Sequence, residues 1–83
     1  MIREGYKIEE KGYSLKVTKV KPVIDVGGVK IYEVHYIFLK GLQELSQAFV
    51  YISEHENAHN KLKSILNNYV RVLANIDKSL TQT

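Results

Sequence analysis

Hydrophobic and polar residues alternate through the first half of the chain, in the pattern of β-strands. Between residues 5 and 40, β-branched and aromatic residues are interleaved with polar ones, and glycines separate the runs. A polar turn at residues 9–12 divides a short first strand from a longer second strand. The pattern therefore predicts a three-stranded antiparallel β-meander over residues 3–39.

The glycine pair Gly27-Gly28 predicts the turn between the second and third strands. Two glycines between β-rich arms suit a two-residue turn of the primed type, because that turn requires positive φ angles. Pro22 has no N–H group to donate, so it predicts a β-bulge or an unpaired edge within the second strand. The turn sets a register in which Val26 faces Val29, Asp25 faces Lys30, Ile24 faces Ile31 and Val23 faces Tyr32.

The strand pleat divides the meander into two faces with different chemistry. If the register continues past Pro22, one face is aliphatic and is the predicted core. It carries Val20, Ile24, Val26, Val29, Ile31, Ile37 and Leu39, together with His35. The opposite face is aromatic with a basic border. It carries Val17, Val23, Tyr32, Val34, Tyr36 and Phe38, edged by Lys19, Lys21 and Lys30.

From residue 42 the hydrophobic spacing changes to three or four residues, which predicts helix over residues 42–79. A single helix of this length would be about 57 Å long, far beyond what a small sheet can cover. Either the polar segment at residues 53–57 divides it into two helices, or a partner chain covers the excess length. Ser53 followed by Glu56 has the form of a capping box and favours the division. The predicted fold is therefore α+β, with one long or two shorter C-terminal helices packed on one sheet face.

Length, charge and cysteine content narrow the class of protein. The 83 residues predict a single domain over residues 1–83. The net charge of +3 lies in the first 40 residues, which hold eight Lys and Arg against five Asp and Glu. The chain has no cysteine, which excludes a disulfide framework and a thiol nucleophile. Because it shows no signal-peptide pattern and no 18-residue apolar run, we expect a cytoplasmic protein without a membrane partner.

Residues 55–59, with the sequence His-Glu-Asn-Ala-His, form a motif with recognisable chemistry. This H-E-x-x-H pentapeptide resembles the zinc-binding helix of the zincin metalloproteases. The resemblance implies zinc ligation by the two histidines and general-base chemistry by the glutamate. A catalytic zinc needs a third protein ligand, and downstream of the motif the chain offers no His or Glu and only Asp77 as a carboxylate. The sequence therefore leaves enzymatic activity uncertain and favours a protein that is not an enzyme.

A metal site with a different ligand set is open to the same histidines. The predicted core face carries His35 and is expected to lie against the helices, so His35, His55 and His59 could converge on a zinc ion. The alternative is that His55 and His59 continue the stripe of the helix and are half-buried there. We therefore expect no cofactor, with zinc as the minor alternative.

The aromatic and basic sheet face predicts binding of nucleic acid. Single-stranded nucleic acid is bound by aromatic side chains that stack on bases and by lysines that contact phosphates. The candidate residues are Lys19, Lys21, Lys30, Tyr32, Tyr36 and Phe38. The alternative is that the aromatic residues form a second core, covered by a helix or by the sheet of a second subunit.

The C-terminal helix predicts a homodimer. Its apolar stripe is broader than that of a surface helix, which indicates burial on more than one side. In a short chain, a second subunit is a natural source of that second surface. The predicted dimer interface consists of Leu66, Tyr69, Val70, Leu73 and Ile76. The alternative places the helix between the sheet and the first helix of the same chain.

Sequence alone thus predicts a small, basic, non-enzymatic α+β protein that binds single-stranded or non-specific nucleic acid as a homodimer. The first alternative is a homo-oligomeric protein-interaction or assembly module that uses its C-terminal helices. A minor alternative is a metal-binding protein that uses residues 55–59.

Overall fold

The computed structural model describes the backbone of residues 2–81 and the side chains of residues 2–23 and 27–76. Across these residues the chain forms a four-stranded antiparallel sheet and a C-terminal helix, so the predicted α+β class is confirmed. The elements are β1 (Lys7–Glu10), β2 (Tyr13–Val26), β3 (Val29–Lys40), β4 (Gln43–Ser53) and α1 (Ala58–Thr81). The described helix is not long and apolar enough to cross a membrane.

The strands follow one another across the sheet in sequence order, each antiparallel to the next, as a meander requires. Gly27 and Gly28 have φ angles of 58° and 81°, as the predicted primed turn between β2 and β3 demands. The predicted register beside this turn is confirmed for the pairs Val26 with Val29, Asp25 with Lys30 and Ile24 with Ile31.

A β-bulge lies next to Pro22, where the sequence predicted an irregularity. Tyr32 pairs with Pro22 instead of Val23, so the predicted pairing of Val23 with Tyr32 is wrong. Val23 is the extra residue of the bulge, because Ile24 already pairs with the next residue along β3.

A second bulge in β2, at Thr18, was not predicted. Val17 and Lys19 pair with Tyr36 and His35, two consecutive residues of β3, so Thr18 is the extra residue. A bulge shifts the alternation of side chains by one position. As a result, Leu15, Val17 and Val20 point to one side of the sheet and Lys16, Lys19 and Lys21 to the other, both before and after the bulge.

Residues 43–53 form a strand, so the helix predicted from residue 42 is wrong at its start. The segment at residues 49–52 consists only of aromatic and β-branched residues, which favour strands, and it pairs with β3. Gly41 has a φ of 60° in the two-residue turn between β3 and β4. The sheet therefore has four strands where three were predicted.

The helix α1 begins at Ala58. Asn57 is its N-cap, since its side-chain oxygen accepts a hydrogen bond of 3.0 Å from the Asn60 N–H. The predicted pair Ser53 and Glu56 does interact, because the Ser53 N–H donates to Glu56 Oε1 at 2.9 Å. That hydrogen bond closes the turn between β4 and α1 instead of starting a helix. The predicted break is real, but it separates a strand from a helix.

The core lies between α1 and one side of the sheet, which we call the covered face. We call the other side the open face. Helix positions 58, 62, 66 and 70 follow the i, i+4 spacing of a single helix side. The ring of Tyr69 stacks on that of Phe38, with 3.7 Å between centroids and 3° between planes. The buried apolar residues are Leu15, Val17, Val34, Tyr36, Phe38, Ile52, Ala58, Leu62, Leu66 and Val70.

The covered face is the aromatic side of β3, so the aliphatic face predicted as the core is the wrong one. Val34, Tyr36 and Phe38 are buried beneath α1. Ile37 and Leu39, on the opposite side of β3, are only half-buried.

Charge explains which face is covered. Lys16, Lys19 and Lys21 of β2 project from the aliphatic side, and Glu33 of β3 projects from the same side. Burial of these charges beneath a helix would remove them from water without enough partners to compensate. With α1 on the aromatic side, no charged residue among the described side chains is buried.

The change Leu66→Ala is expected to lower the free energy of unfolding by about 2–5 kcal/mol, because truncation of a fully buried leucine leaves a cavity. Val72→Ala, on the exposed side of the same helix, should change it by only about 0.5 kcal/mol. Urea denaturation followed by circular dichroism measures both values. Equal losses in the two variants would contradict the packing of α1 on the sheet.

Candidate functional site

The open face combines exposed aromatic and basic side chains. It is built from alternate residues of β2, β3 and β4, on the side of the sheet away from α1. Phe49 and Tyr51 expose 52% and 50% of their surface there. Neighbouring large aromatic side chains that remain half-exposed mark a candidate contact surface. Around them lie Lys16, Lys19, Lys21, Glu33, His35, Ile37 and Gln47.

Three rings on this face, those of His35, Phe49 and Tyr51, form an aromatic cluster. Strand pairing places His35 directly across from Phe49, and their rings stack with 5.5 Å between centroids and 29° between planes. Phe49 and Tyr51 lie two residues apart on β4, so both project from the same side. Their rings meet edge to face with centroids 5.7 Å apart. The cluster is therefore a pre-formed platform with ring surface left open to solvent.

The Glu33 carboxylate contacts the polar atoms of two rings in the aromatic cluster, those of His35 and Tyr51. Nε2 of His35 lies 2.9 Å from Oε2 of Glu33, and the Tyr51 hydroxyl donates a long hydrogen bond of 3.5 Å to Oε1. The hydrogen bond from His35 lowers the pKa of Glu33, and the positive charge of Lys21 acts in the same direction. The carboxylate therefore stays ionised to lower pH than usual and keeps its contacts with both rings.

Three lysines of β2 border the cluster. Lys19 pairs with His35, and Lys21 pairs with Glu33, in the ladder between β2 and β3. Lys16 projects from the same face on the other side of the Thr18 bulge, and all three lysines are exposed. The lysines of β2 thus lie next to His35 and Glu33 of β3, and β3 separates them from Phe49 and Tyr51 of β4.

The aromatic residues predicted to bind nucleic acid lie elsewhere. Tyr36 and Phe38 are each only 6% exposed beneath α1, and burial raises the pKa of the Tyr36 hydroxyl. They cannot stack on a base unless the helix moves away, so their expected exposure is wrong. Tyr32 is half-buried on the covered face.

Of the three predicted lysines, two lie on the open face. Lys19 and Lys21 border the aromatic cluster, whereas Lys30 is exposed next to the turn between β2 and β3. The six predicted residues therefore do not share one surface.

The two rings that sequence reasoning missed are Phe49 and Tyr51. Their segment was predicted as a helix, in which residues two apart point in different directions. The run of aromatic and β-branched residues at 49–52 was the available signal, since it favours a strand and strand alternation places both rings on one side.

The three histidines of the predicted metal site lie apart. His35 belongs to the open face, His55 is exposed in the turn before α1, and His59 lies in the first turn of α1 with its Nδ1 hydrogen-bonded to the Tyr6 hydroxyl. Within the described residues, no group of three His, Asp or Glu side chains is arranged to hold a metal ion. The predicted three-histidine site is therefore wrong.

The H-E-x-x-H pentapeptide does not lie on one helix. His59 is in the first turn of α1, whereas His55 and Glu56 precede the helix. Glu56 accepts a hydrogen bond of 2.8 Å from Lys61 Nζ and another from a backbone N–H of the turn, and these two contacts lower its pKa. The helical turn that brings two zincin histidines together is missing here, and the Glu56 carboxylate stabilises the turn before α1.

Most of the predicted dimer interface packs within its own chain. Leu66 and Val70 are buried against the sheet, and Tyr69 stacks on a ring of β3. Leu73 is half-buried, and Ile76 is 49% exposed. Among the described side chains of α1, the large apolar residues that are exposed, Val72 and Ile76, lie in its C-terminal part.

A cleft of about 790 Å³ opens beside the start of α1. Its lining includes Arg3, Glu54 and Glu56, together with the rings of Tyr6 and Tyr32. Because the lining carries charges of both signs, it favours no particular charge class of ligand.

No protein-family model, curated protein or solved structure matches the chain. Function is therefore inferred from the residues and geometry of the open face. That face has the clearest chemistry in the described part of the molecule.

The change His35→Asn is expected to raise the pKa of Glu33 toward its ordinary value of 4.5, because it removes the hydrogen bond that contributes most to the shift. Since the folded-state pKa is lowered, the stabilising contact is present above the unfolded-state pKa and is lost as pH falls through the folded-state value. NMR titration of the glutamate side-chain carbons measures the shift.

Glu56 is the internal control for this titration. Its pKa is lowered by Lys61 and by the turn backbone, which the His35 change does not touch. An unchanged Glu33 pKa in His35→Asn would show that the contact with His35 does not hold the carboxylate.

Proposed function

We propose that the protein is a non-enzymatic binder of single-stranded nucleic acid and that the open face is its binding surface. The aromatic cluster of His35, Phe49 and Tyr51, half-exposed beside the lysines of β2, is the observation that supports this most directly. An unpaired base offers a flat π-face to a ring, and its phosphate attracts a cation. Both partners occur side by side on the sheet.

Stacking needs ring surface that is both fixed and accessible. Phe49 and Tyr51 are about 6.6 Å apart along β4, from a rise of about 3.3 Å per residue. Their planes lie at 79° to each other, so the two rings offer surface in different directions. Because packing already holds the rings, little side-chain freedom is lost when a base docks.

The charges around the cluster favour a phosphate backbone over specific bases. Lys16, Lys19 and Lys21 follow β2, next to His35 and separated by β3 from the rings of Phe49 and Tyr51. Lysine contacts phosphate as a flexible point charge, whereas planar base-edge contacts are made mostly by arginine. The chain has two arginines: Arg3 lies before β1, and Arg71 is in α1. We therefore propose binding that depends little on base sequence.

The changes Phe49→Ala and Tyr51→Ala should each weaken binding of a labelled single-stranded oligonucleotide by about 5- to 150-fold. Loss of one base stack costs about 1–3 kcal/mol, and 1.4 kcal/mol corresponds to about tenfold. Fluorescence anisotropy at low salt measures the affinity. Leu42→Ala is the matched control, because Leu42 is a fully exposed apolar residue in the turn between β3 and β4.

Circular dichroism shows whether each variant keeps the fold. Duplex DNA of the same sequence should bind more weakly than the single strand, since its bases are already stacked. Unchanged affinity in both ring variants, or no binding of the unaltered protein at low salt, would exclude the open face as a nucleic-acid site.

The double change Lys19→Gln with Lys21→Gln should reduce the slope of log affinity against log salt by about 1.4, because each phosphate contact on a single strand contributes about 0.7. The matched control is Lys63→Gln with Arg71→Gln, which removes the same charge from exposed positions on α1. Anisotropy titrations at four salt concentrations give the slopes. Equal slopes for the two double variants would mean that net charge, and not the open face, attracts the oligonucleotide.

Assembly through the C-terminal helix is the second candidate function. It is favoured by Val72 and Ile76, which are 54% and 49% exposed on α1. Two apolar side chains one turn apart can pack against the same stripe of another helix.

A further inference from the structure

The two outer strands of the sheet differ in how they are protected. β1 and β4 form the edges of the described sheet. β1 is four residues long and carries the charged residues Lys7, Glu9 and Glu10, which discourage pairing with another strand. β4 is eleven residues long, and its stretch at residues 47–51 contains neither charge nor proline. This stretch has no such protection.

A hydrogen bond at the end of β4 shows which backbone groups point outward. The Glu54 N–H donates to the Lys30 carbonyl at 2.9 Å, so even-numbered residues in this part of the chain direct their N–H and C=O groups toward β3. Pairing with β3 is regular between residues 46 and 53. The odd-numbered residues therefore direct their backbone groups to the outer edge.

One end of the outer edge is occupied by contacts within the chain. The Ser53 N–H donates to the Glu56 carboxylate at 2.9 Å, and the Ser53 carbonyl accepts from the Glu56 N–H at 3.0 Å. Lys61 Nζ donates to the Tyr51 carbonyl at 3.2 Å, which agrees with an outward direction for that residue. The turn and the first helical residues thus close the edge beyond residue 51.

The next part of the edge is open. Within the described residues, no protein group hydrogen-bonds to the outward N–H and C=O of Gln47 and Phe49. The backbone of α1 comes closest to β1 and β2, and Ala48 is exposed on the covered side. Exposed backbone groups without a protein partner, on an uncharged edge, form a template for another strand.

We propose that two copies of this chain pair antiparallel through their β4 edges, with a two-fold axis at Ala48. In this arrangement Gln47 of each copy exchanges N–H and C=O hydrogen bonds with Phe49 of the other. Ala48 faces its own counterpart as a non-hydrogen-bonded pair, where strands approach most closely and a small side chain fits. Two four-stranded sheets then continue as one sheet of eight strands.

A second copy of the chain suits this edge better than a different strand. Residues 47–51 carry no charge, so identical strands meet without repulsion and offer no charge pattern by which another partner could be selected. Because the two-fold axis passes between the two Ala48 residues, odd-numbered positions of one copy pair with odd-numbered positions of the other. Both helices then lie on one side of the sheet, and the aromatic clusters of the two copies meet on the continuous open face.

The change Ala48→Lys places two like charges opposite each other at the axis and should raise the dimer dissociation constant by about tenfold or more. Sedimentation velocity over a range of protein concentrations, without nucleic acid, measures it. Val72→Lys is the matched control, because it adds the same charge to exposed apolar surface on α1. This variant should remain a dimer.

Cross-linking tests the axis directly, because the chain has no cysteine of its own. Ala48→Cys should form a disulfide-linked dimer under mild oxidation, since Cα atoms of such a pair lie within disulfide range. Ser46→Cys is the control: Ser46 is also exposed but would face Val50 of the other copy, far from its own counterpart. It should not form a cross-link.

A monomer at several hundred micromolar would overturn the proposal. So would a folded Ala48→Lys variant that stays dimeric, or a Val72→Lys variant that becomes monomeric, which would place the interface on α1. If Ala48→Lys fails to fold, the cysteine pair decides, and equal cross-linking at positions 46 and 48 would reject the axis. The oligonucleotide experiments are separate, so either idea can fail without the other.

Discussion

The contact between α1 and the covered face is the constraint on which the rest of the structure depends. One helix with a single apolar stripe can remove one side of a sheet from water, and Leu62 and Leu66 complete that burial. The other side must then remain compatible with solvent. The same geometry leaves β4 at the margin, because the backbone of α1 comes closest to β1 and β2. Open face and open edge are two results of having one helix for four strands.

Charge decides how that constraint is satisfied. The two sides of β3 are similarly apolar, but the side with Glu33 also faces the lysines of β2. Removing four charges from water would cost more than the aliphatic side chains gain by burial, so the rings of Tyr36 and Phe38 become the core. Ile37 and Leu39 stay half-exposed because they lie on the side of the sheet that α1 does not cover.

The sequence correctly predicted those parts of the fold that depend on the backbone preferences of neighbouring residues. The Gly27-Gly28 turn, its register and the irregularity at Pro22 depend on backbone preferences of a few residues. The prediction for the segment after Gly41 was wrong because the large apolar residues there also recur at intervals of three or four, as they do in a helix. Its β-branched and aromatic content pointed the other way, and pairing with β3 resolved the ambiguity.

The candidate site was only partly accessible to sequence reasoning for the same reason. Lys19 and Lys21 were identified as part of a basic surface, but Phe49 and Tyr51, which share the open face with them, come from β4, which was predicted to be helical. Which side of the sheet a helix covers is a property of the whole domain, since it depends on charges contributed by separate strands. No pattern within β3 distinguishes Tyr36 from His35 as the residue to bury.

The bulge residue Thr18 determines which side chains of β2 share a face of the sheet. Lys16 and Lys19 share the open face although they are three residues apart, because the bulge absorbs one position between them. Deletion of that residue would restore strict alternation between Tyr13 and Pro22, and one half of this segment would then present its lysines to the helix and its valines to water. The length of this strand, and not only its composition, therefore determines that its three lysines share the open face.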